Sequence, residues 1–476
     1  MTEAAPKTGE RRDDRKRWLA LLLVCAAQFM LVVDGTIVNV ALPSIQDSLG
    51  FSQVTLSWVV NAYLLTFGGF LLLGGRAGDL FGRRRVFAFG MALFTLASLL
   101  CGLANSQAML VAARALQGIG GAIIAPAALS IIITTFRDPA EKARAMGIWG
   151  FVVSGGGSIG VLLGGVLTQT MGWPAIFLVN LPVGIIALAL CRPLLAPDPK
   201  PNVSGGFDLP GAILITASIV AAVYAIIGAG GNPPAFTILL LVIAAALMVA
   251  FAAVERRTTA PLVPPGIFAS SPNLAVSNIV MALTVVGLVG WFFFSALYLQ
   301  RVLGYDSLAT GLAYLPATIA MGVISYAVAP KAVGRFGIKP MIALGLGMMA
   351  AGLLLFARAP VEGSYLLDVL PGMLLLGVGP SFAFIAVILA STTGVPESEA
   401  GLASGLVNTS QQMGGALGLA VLAAVSAFTA SVVGSGSAAA LNSGYHTAFL
   451  VGAICLIIGV LLAAALLRSP KDTGPE

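Results

Sequence analysis

The chain has 476 residues, 58% of them hydrophobic and 9% charged, with a formal net charge of +6 at pH 7. So little charge cannot cover the surface of a water-soluble protein of this size, so a soluble domain is excluded. The excess cations lie in short flanks between apolar runs, where they report topology, and no nucleic-acid partner is expected.

Residues 1–17 form a polar, basic tail. From there, apolar runs of about twenty residues recur to the end of the chain, each long enough to cross a bilayer as a helix. None has the ten-residue alternation of a barrel strand. The expected fold is therefore an all-α membrane protein, because helices satisfy their own backbone groups in lipid. The first run, Trp18 to Val33, follows Arg11 to Arg17 much as in a signal peptide. It lacks a small-residue cleavage site and further spans follow, so it reads as a retained first helix.

Fourteen spans are predicted. They begin near Trp18, Leu56, Val86, Ala108, Ala143, Trp173, Leu209, Ala235, Asn273, Thr310, Ile338, Tyr365, Ala400 and His446. Loops on one side carry Arg83-Arg84-Arg85, Arg137, Lys142, Arg144, Arg192, Lys200, Arg256-Arg257, Lys331, Arg335 and Lys339. The opposite loops hold Arg301 and Arg358. This bias puts both termini in the cytoplasm of a multi-pass protein of the inner or plasma membrane.

The punctuation repeats. Gly82 matches Gly337, Leu116-Gln117-Gly118-Ile119-Gly120 matches Leu375-Leu376-Gly377-Val378-Gly379, and Pro139 before Glu141 matches Pro396 before Glu397. The near-constant spacing divides the chain into a six-span unit at 18–195 and another at 273–467. Between them, at 196–272, lies an inserted pair of spans with its linkers, and 468–476 form a second tail. Two similar bundles of this kind can rock about a midplane site, which is a transporter plan. The inserted pair is expected at the periphery. A channel is disfavoured, since no filter-like loop or ring of like charge occurs.

Ionisable groups within spans are costly and usually functional. Asp34 is the carboxylate deep in a span and Arg114 the deep cation. Counting from the loops at 1.5 Å per residue puts both at similar depth. Burial favours a neutral carboxyl and a neighbouring guanidinium an ionised one, so a site alternating between the two can load and release a proton. The alternative is a static ion pair between helices 1 and 4.

Helix 5 carries Gly155, Gly156, Gly157, Gly160, Gly164 and Gly165, and helix 13 carries Gly401, Gly405, Gly414, Gly415 and Gly418. Small residues four apart allow close helix approach. In the loop from Gly75 to Gly82, Arg83 and Arg84, the acidic Asp79 stands among cations. It is expected to face a helix N-terminus of the other half near Ala400 and to gate one side. Polar and aromatic candidates for a midplane cavity are Gln28, Asn39, Asn61, Tyr63, Gln117, Asn278, Trp291, Tyr298, Asn408, Gln411 and Gln412. Cys25, Cys101, Cys191 and Cys455 are scattered through apolar runs, which is neither a disulfide nor a metal spacing. His446 reads as an interfacial residue. No phosphate-cradling loop occurs, so ATP is not the expected driver. Neither cofactor nor metal is expected, and no nucleophile–base constellation points to an enzyme.

These residues resemble the major facilitator superfamily, in its fourteen-span drug:proton antiporter branch. The run from Asp34 through Gly35, Thr36 and Asn39 to Pro43 looks like that branch's helix 1 signature. The Asp79 loop looks like its motif A, which gates the inner side. Arg114, Gln117, Gly118 and Gly120 look like motif B, whose arginine is implicated in proton coupling. Gly156, Gly160, Gly164 and Gly165 look like motif C, associated with antiport. Val161 stands where motif C usually has proline, Trp173-Pro174-Ala175 replaces the usual Trp-Arg-Trp, and the span Thr310–Pro330 lacks the further acidic residue of some members. The resemblance implies a monomer in membrane lipid that exports small amphipathic molecules, such as antibiotics, drugs or lipophilic cations, in exchange for protons, with the proton motive force as energy source. Export of one endogenous metabolite, proton symport and a transport-inactive sensor or scaffold are the alternatives.

Overall fold

The computed structural model describes residues 8–136, 138–198, 208–229, 231–258, 261–264, 266–396, 399–434 and 437–467. Among them every regular element is a helix. The spans are α1 (Thr8–Leu49), α2 (Trp58–Phe81), α3 (Arg83–Gly102), α4 (Gln107–Thr135), α5 (Pro139–Met171), α6 (Asn180–Leu194), α7 (Leu209–Gly228) and α8 (Pro234–Glu255). Then come α9 (Pro272–Leu297), α10 (Ser307–Val323), α11 (Ile338–Phe356), α12 (Leu370–Thr392), α13 (Ala400–Val433) and α14 (Ala438–Leu466). Thirteen are long and apolar enough to cross a membrane. The fourteenth, α5, shows a shorter apolar stretch at Ile159–Met171 among the described residues. The tails at 1–7 and 468–476, together with Arg137, Lys200 and Glu397, lie outside the described residues.

Local chemistry sets the helix ends. Asp306, Ser437 and Ser106 cap α10, α14 and α4 by accepting the amides of Ala309, Ala440 and Met109, satisfying donors that an N-terminus leaves unpaired. Gly82 (φ +98°) and its repeat partner Gly337 (φ +88°) break the chain between consecutive spans in the left-handed region. The helices overrun the predicted spans at both ends of α1 and at the start of α14. α1 begins at Thr8, within the tail expected at 1–17. α1 continues past Pro43 to Leu49, since one proline removes a single backbone bond and neighbouring helices hold the remainder. α14 starts at Ala438, so His446 lies two turns inside it, its Nε2 2.7 Å from the Ala359 carbonyl.

In the first six spans, α1 packs on α4, α5 and α6, α2 on α4, and α3 on α4 and α6. In the last six, α9 packs on α12, α13 and α14, α10 on α12, and α11 on α12 and α14. The matched glycines make matched contacts. A Cβ on Gly118 would strike α2 at Tyr63 and Thr66, and one on Gly377 would strike α10 at Ala317. Likewise Gly120 lies against Phe94 of α3, and Gly379 against Gly345 and Met349 of α11.

The two sets meet along α5–α10 and α2–α13. Gly156, Gly160 and Gly164 line the face of α5 against Val32, Thr36, Val33 and Ile37 of α1. Gly165 turns to the other set, where an added Cβ would sit 2.5 Å from the Ser307 carbonyl of α10. At the end where α1 finishes, Gln300 Nε2 donates to the Val40 carbonyl at 2.9 Å, and Arg301 reaches the Pro43 carbonyl, Gln46 and Asp47. These partners are substantially exposed, so the ion pair contributes only about 0–1 kcal/mol.

The inserted pair departs from the expected periphery. α8 is outlying: 6% of its membrane window is buried. α7 instead bridges the seam. Its Ile219, Val223 and Ile227 pack in one cluster with Leu65 of α2 and Met413, Ala416 and Ala420 of α13. Small residues draw it in: a Cβ on Gly69 of α2 would overlap Thr216.

Thr66 Oγ, which donates to the Ala115 carbonyl at 2.8 Å, fills the space beside Gly118. Gly118→Ala should therefore cost about 1–3 kcal/mol through overpacking, read as a lower melting temperature in detergent. Gly150→Ala, where nothing lies within 4 Å, should leave it unchanged.

Candidate functional site

A polar residue inside lipid must find its partners within the protein. Asp34, midway along α1 and 0% exposed, finds three. Arg114 Nη1 donates to its Oδ2 at 2.7 Å, and Gln117 Nε2 and Asn180 Nδ2 donate to its Oδ1 at 2.7 and 2.9 Å. Arg114, 1% exposed, also donates Nε to the Val59 carbonyl at 3.0 Å and Nη1 to Gln117 Oε1 at 2.6 Å. Its guanidinium carbon lies 4.4 Å from the Tyr63 ring centre and 5.6 Å from that of Phe177, a cation–π clamp within a dry site. Ser98 Oγ accepts from Gln117 Nε2 at 2.9 Å and from Asn180 Nδ2 at 3.4 Å, while donating to the Phe94 carbonyl at 2.8 Å.

Five helices thus converge on one carboxylate: α1 brings Asp34, α2 the Val59 carbonyl and Tyr63, α3 Ser98, α4 Arg114 and Gln117, and α6 Asn180. Arg114 and Gln117 share one face because they are three residues apart on a helix. Sequence reasoning found Asp34, Arg114 and Gln117 but missed Ser98 and Asn180. Both were visible only as single polar residues in apolar spans. The network is closed to solvent in this conformation, and every group in it belongs to the first six spans.

The cavity candidates separate into groups. Gln117 and Tyr63 belong to the Asp34 network. Asn39 bonds within its own helix, to the Gly35 and Thr36 carbonyls. Asn278 accepts from Ser410 at 2.6 Å, joining α9 to α13. Tyr298 donates to the Pro360 carbonyl at 2.7 Å, away from the seam. Gln411 and Gln412 are half-buried on α13, where Gln412 faces Gly68 of α2. Asn408 is exposed and donates to the Ser404 carbonyl. Three candidates keep buried polar atoms with no partner: Gln28 Oε1, both amide atoms of Asn61, and Trp291 Nε1.

At the Gly82 turn the side chain of Asp79 lies outside what the structure describes. A Cβ on Gly75, in the last turns of α2, would lie 3.6 Å from Pro126 of α4. The amides of Arg84 and Arg85, at the N-terminus of α3, donate to Asp198 at 2.9 and 3.2 Å. An anion at a helix N-terminus is favoured by the helix dipole. Asp198 therefore ties the linker after α6 to this turn, a contact the sequence reading did not include.

A family model described as Major Facilitator Superfamily matches residues 24–419. The puromycin resistance protein pur8 of Streptomyces alboniger is 42% identical over 461 residues, covering 95% of this chain and 91% of that protein. The cephamycin export protein CmcT of Amycolatopsis lactamdurans is 38% identical over 475 residues, covering 99% and 97%. A lincomycin resistance protein of Streptomyces lincolnensis is 35% identical over 470 residues, covering 98% and 95%. In fold, the chain resembles a bacterial homolog of the human lysosomal transporter Spinster, solved inward-facing and unoccupied, with a TM-score of 0.67 at 17% identity, covering 97% and 99%.

Removing one partner of a buried ion pair typically costs about 3–5 kcal/mol because the other charge is stranded. Arg114→Gln should therefore lower the melting temperature in detergent sharply. Adding Asp34→Asn should recover most of the loss, and a double variant no more stable than Arg114→Gln would contradict this account of the network.

Proposed function

The chain belongs to the Major Facilitator Superfamily, and on that premise we propose that it exports small amphipathic molecules, antibiotics foremost, in exchange for protons. The observation that carries the reading is the Asp34 carboxylate, buried and held by three donors from two other helices. It is supported by relatives named for antibiotic resistance or export over nearly their whole length. The protein acts as a transporter and not as an enzyme, as a monomer in the cell membrane with both termini in the cytoplasm. It needs no cofactor beyond the proton motive force.

In the proposed cycle α1–α6 and α9–α14 rock against each other about the α5–α10 and α2–α13 contacts. In the conformation described, the Arg301–Asp47 and Gln300–Val40 contacts hold the Pro43 end together. Their weakness suits a contact that must part in each cycle. Proton uptake at Asp34 cancels its charge, weakens the hold of Arg114 and lets the helices bearing them separate. Proton release restores the bonds. Asn61, Gln28 and Trp291, with unpartnered polar atoms, serve as polar anchors for a ligand among apolar walls. Gly75, Asp79, Gly82, Arg83 and Arg84 gate the opposite end, and the glycine face of α5 seals its interface.

The energy suffices. One proton crossing 100 mV supplies about 2.3 kcal/mol, and each pH unit about 1.4 kcal/mol. Together they support a gradient of a neutral solute between about a hundredfold and a thousandfold.

The test uses protein reconstituted into vesicles enclosing a pH-sensitive dye. Puromycin, lincomycin and unrelated lipophilic cations should each be tried. Substrate addition should trigger proton movement opposite to the drug, and Asp34→Asn should abolish it while leaving drug binding measurable. Undiminished proton-driven transport by Asp34→Asn sinks the assignment. Drug and proton moving in the same direction would indicate symport.

A further inference from the structure

Outside the Asp34 network, the buried charged residues among those described are Asp208 and Glu255, each 4% exposed. They close the inserted pair at its Gly82 end, Asp208 preceding α7 and Glu255 ending α8. Asp208 Oδ1 accepts the Gly211 amide and Glu255 Oε2 the Val263 amide, both at 2.9 Å. The second oxygen of each, Asp208 Oδ2 and Glu255 Oε1, is buried without any hydrogen-bond partner. Both oxygens point at the same spot. A Cβ placed on Gly211 would lie 2.5 Å from Asp208 Oδ2 and 2.8 Å from Glu255 Oε1.

Among the described residues no cation answers them, and no salt bridge involves either carboxylate. Arg256 and Arg257, which follow Glu255, are exposed, as is Arg76 on the neighbouring stretch of α2. Of the elements packed around the pair, α7 and α13 contain no charge, α8 contains only Glu255, and α2 carries, besides Arg76, Asp79, whose side chain lies outside the described residues. Two ionised carboxylates brought together away from water repel one another and lose hydration as well. A single proton removes the repulsion and supplies the one donor that two facing acceptors lack.

We propose that Asp208 and Glu255 bind one proton between them, as a carboxylic acid–carboxylate hydrogen bond from one unpartnered oxygen to the other. This is a second protonation site, remote from Asp34, and it clasps the inserted pair to the foot of α2. Glu255 holds the amide of Val263. The adjacent Leu262 packs with Leu73 of α2 and Ala212 of α7, and α7 spans the α2–α13 seam. With the proton bound the clasp is shut. When the proton leaves, two like charges face each other, and the linker lets go of α2 beside the Gly82 turn. Regulation of export by the clasp rests on the transporter reading, whereas the proton site does not.

The experiment uses the full-length protein in nanodiscs, where both faces are accessible. Infrared difference spectra between neutral and alkaline pH should show loss of a protonated carboxyl C=O band. That band should be missing from both Glu255→Gln and Asp208→Asn and present in Asp34→Asn. Tryptic cleavage after Arg256 and Arg257 should run about tenfold faster in the wild type than in Glu255→Gln at alkaline pH, and equally fast at neutral pH; tenfold corresponds to about 1.4 kcal/mol of opening free energy. The glutamine replaces the shared proton by an amide donor, so its clasp stays shut. A carboxyl band surviving in both Glu255→Gln and Asp208→Asn, or cleavage profiles that coincide at every pH, overturns the proposal. Neither readout uses a substrate, so a failure here leaves the export reading standing, and a failure of export leaves this site standing.

Discussion

In a bilayer there is no water to rescue a polar group, and much of this structure answers to that constraint. A charged carboxylate in the middle of α1 is tolerable only because four other helices turn donors, carbonyls or ring faces toward it and its arginine. The convergence needs close approach, which explains small residues on the helix faces around it: Gly118 against α2, Gly120 against α3, and Gly156, Gly160 and Gly164 against α1. The polar knot and the small-residue packing depend on each other, since larger side chains at those positions would push the donors out of reach.

Contacts between the two six-helix sets are of another kind. They run through small and apolar surfaces along α5–α10 and α2–α13, with a thin, exposed polar latch at the Pro43 end. Interfaces of this sort can slide or part at modest cost, whereas a buried ion pair cannot be broken without compensation. Rigidity is thus concentrated within the first set and compliance between the sets. α7 complicates a simple rocking picture, because it packs on α2 and α13 together and must follow, or restrain, any opening there.

Much of this was legible in the sequence. Asp34, Arg114 and Gln117 announced themselves because charge and amide groups stand out in apolar runs. The helix count was readable from length and hydropathy, and the repeat from Gly82 and Gly337, whose left-handed turns nothing but glycine adopts easily. What stayed hidden depends on three-dimensional return of the chain. Asn180 is one ordinary polar residue after a short turn, and the Val59 carbonyl is backbone and leaves no trace in the sequence. Asp198, Asp208 and Glu255 border polar linkers, and only the folded chain shows which backbone amides they accept. α7 is apolar all round, so its pattern cannot say which face is buried; that is why its place on the seam was missed. The role of Asp79 depends on a side chain outside the described residues.

The fully buried charges all lie within the first eight helices; among the described residues α9–α14 bury none. The proposed proton sites therefore lie in one part of the molecule, and the packing of α9–α14 holds no buried charge that a rearrangement would strand. Substitutions within α9–α14 unpair no buried ion, so that part of the molecule can be remodelled at a lower cost than the helices around Asp34.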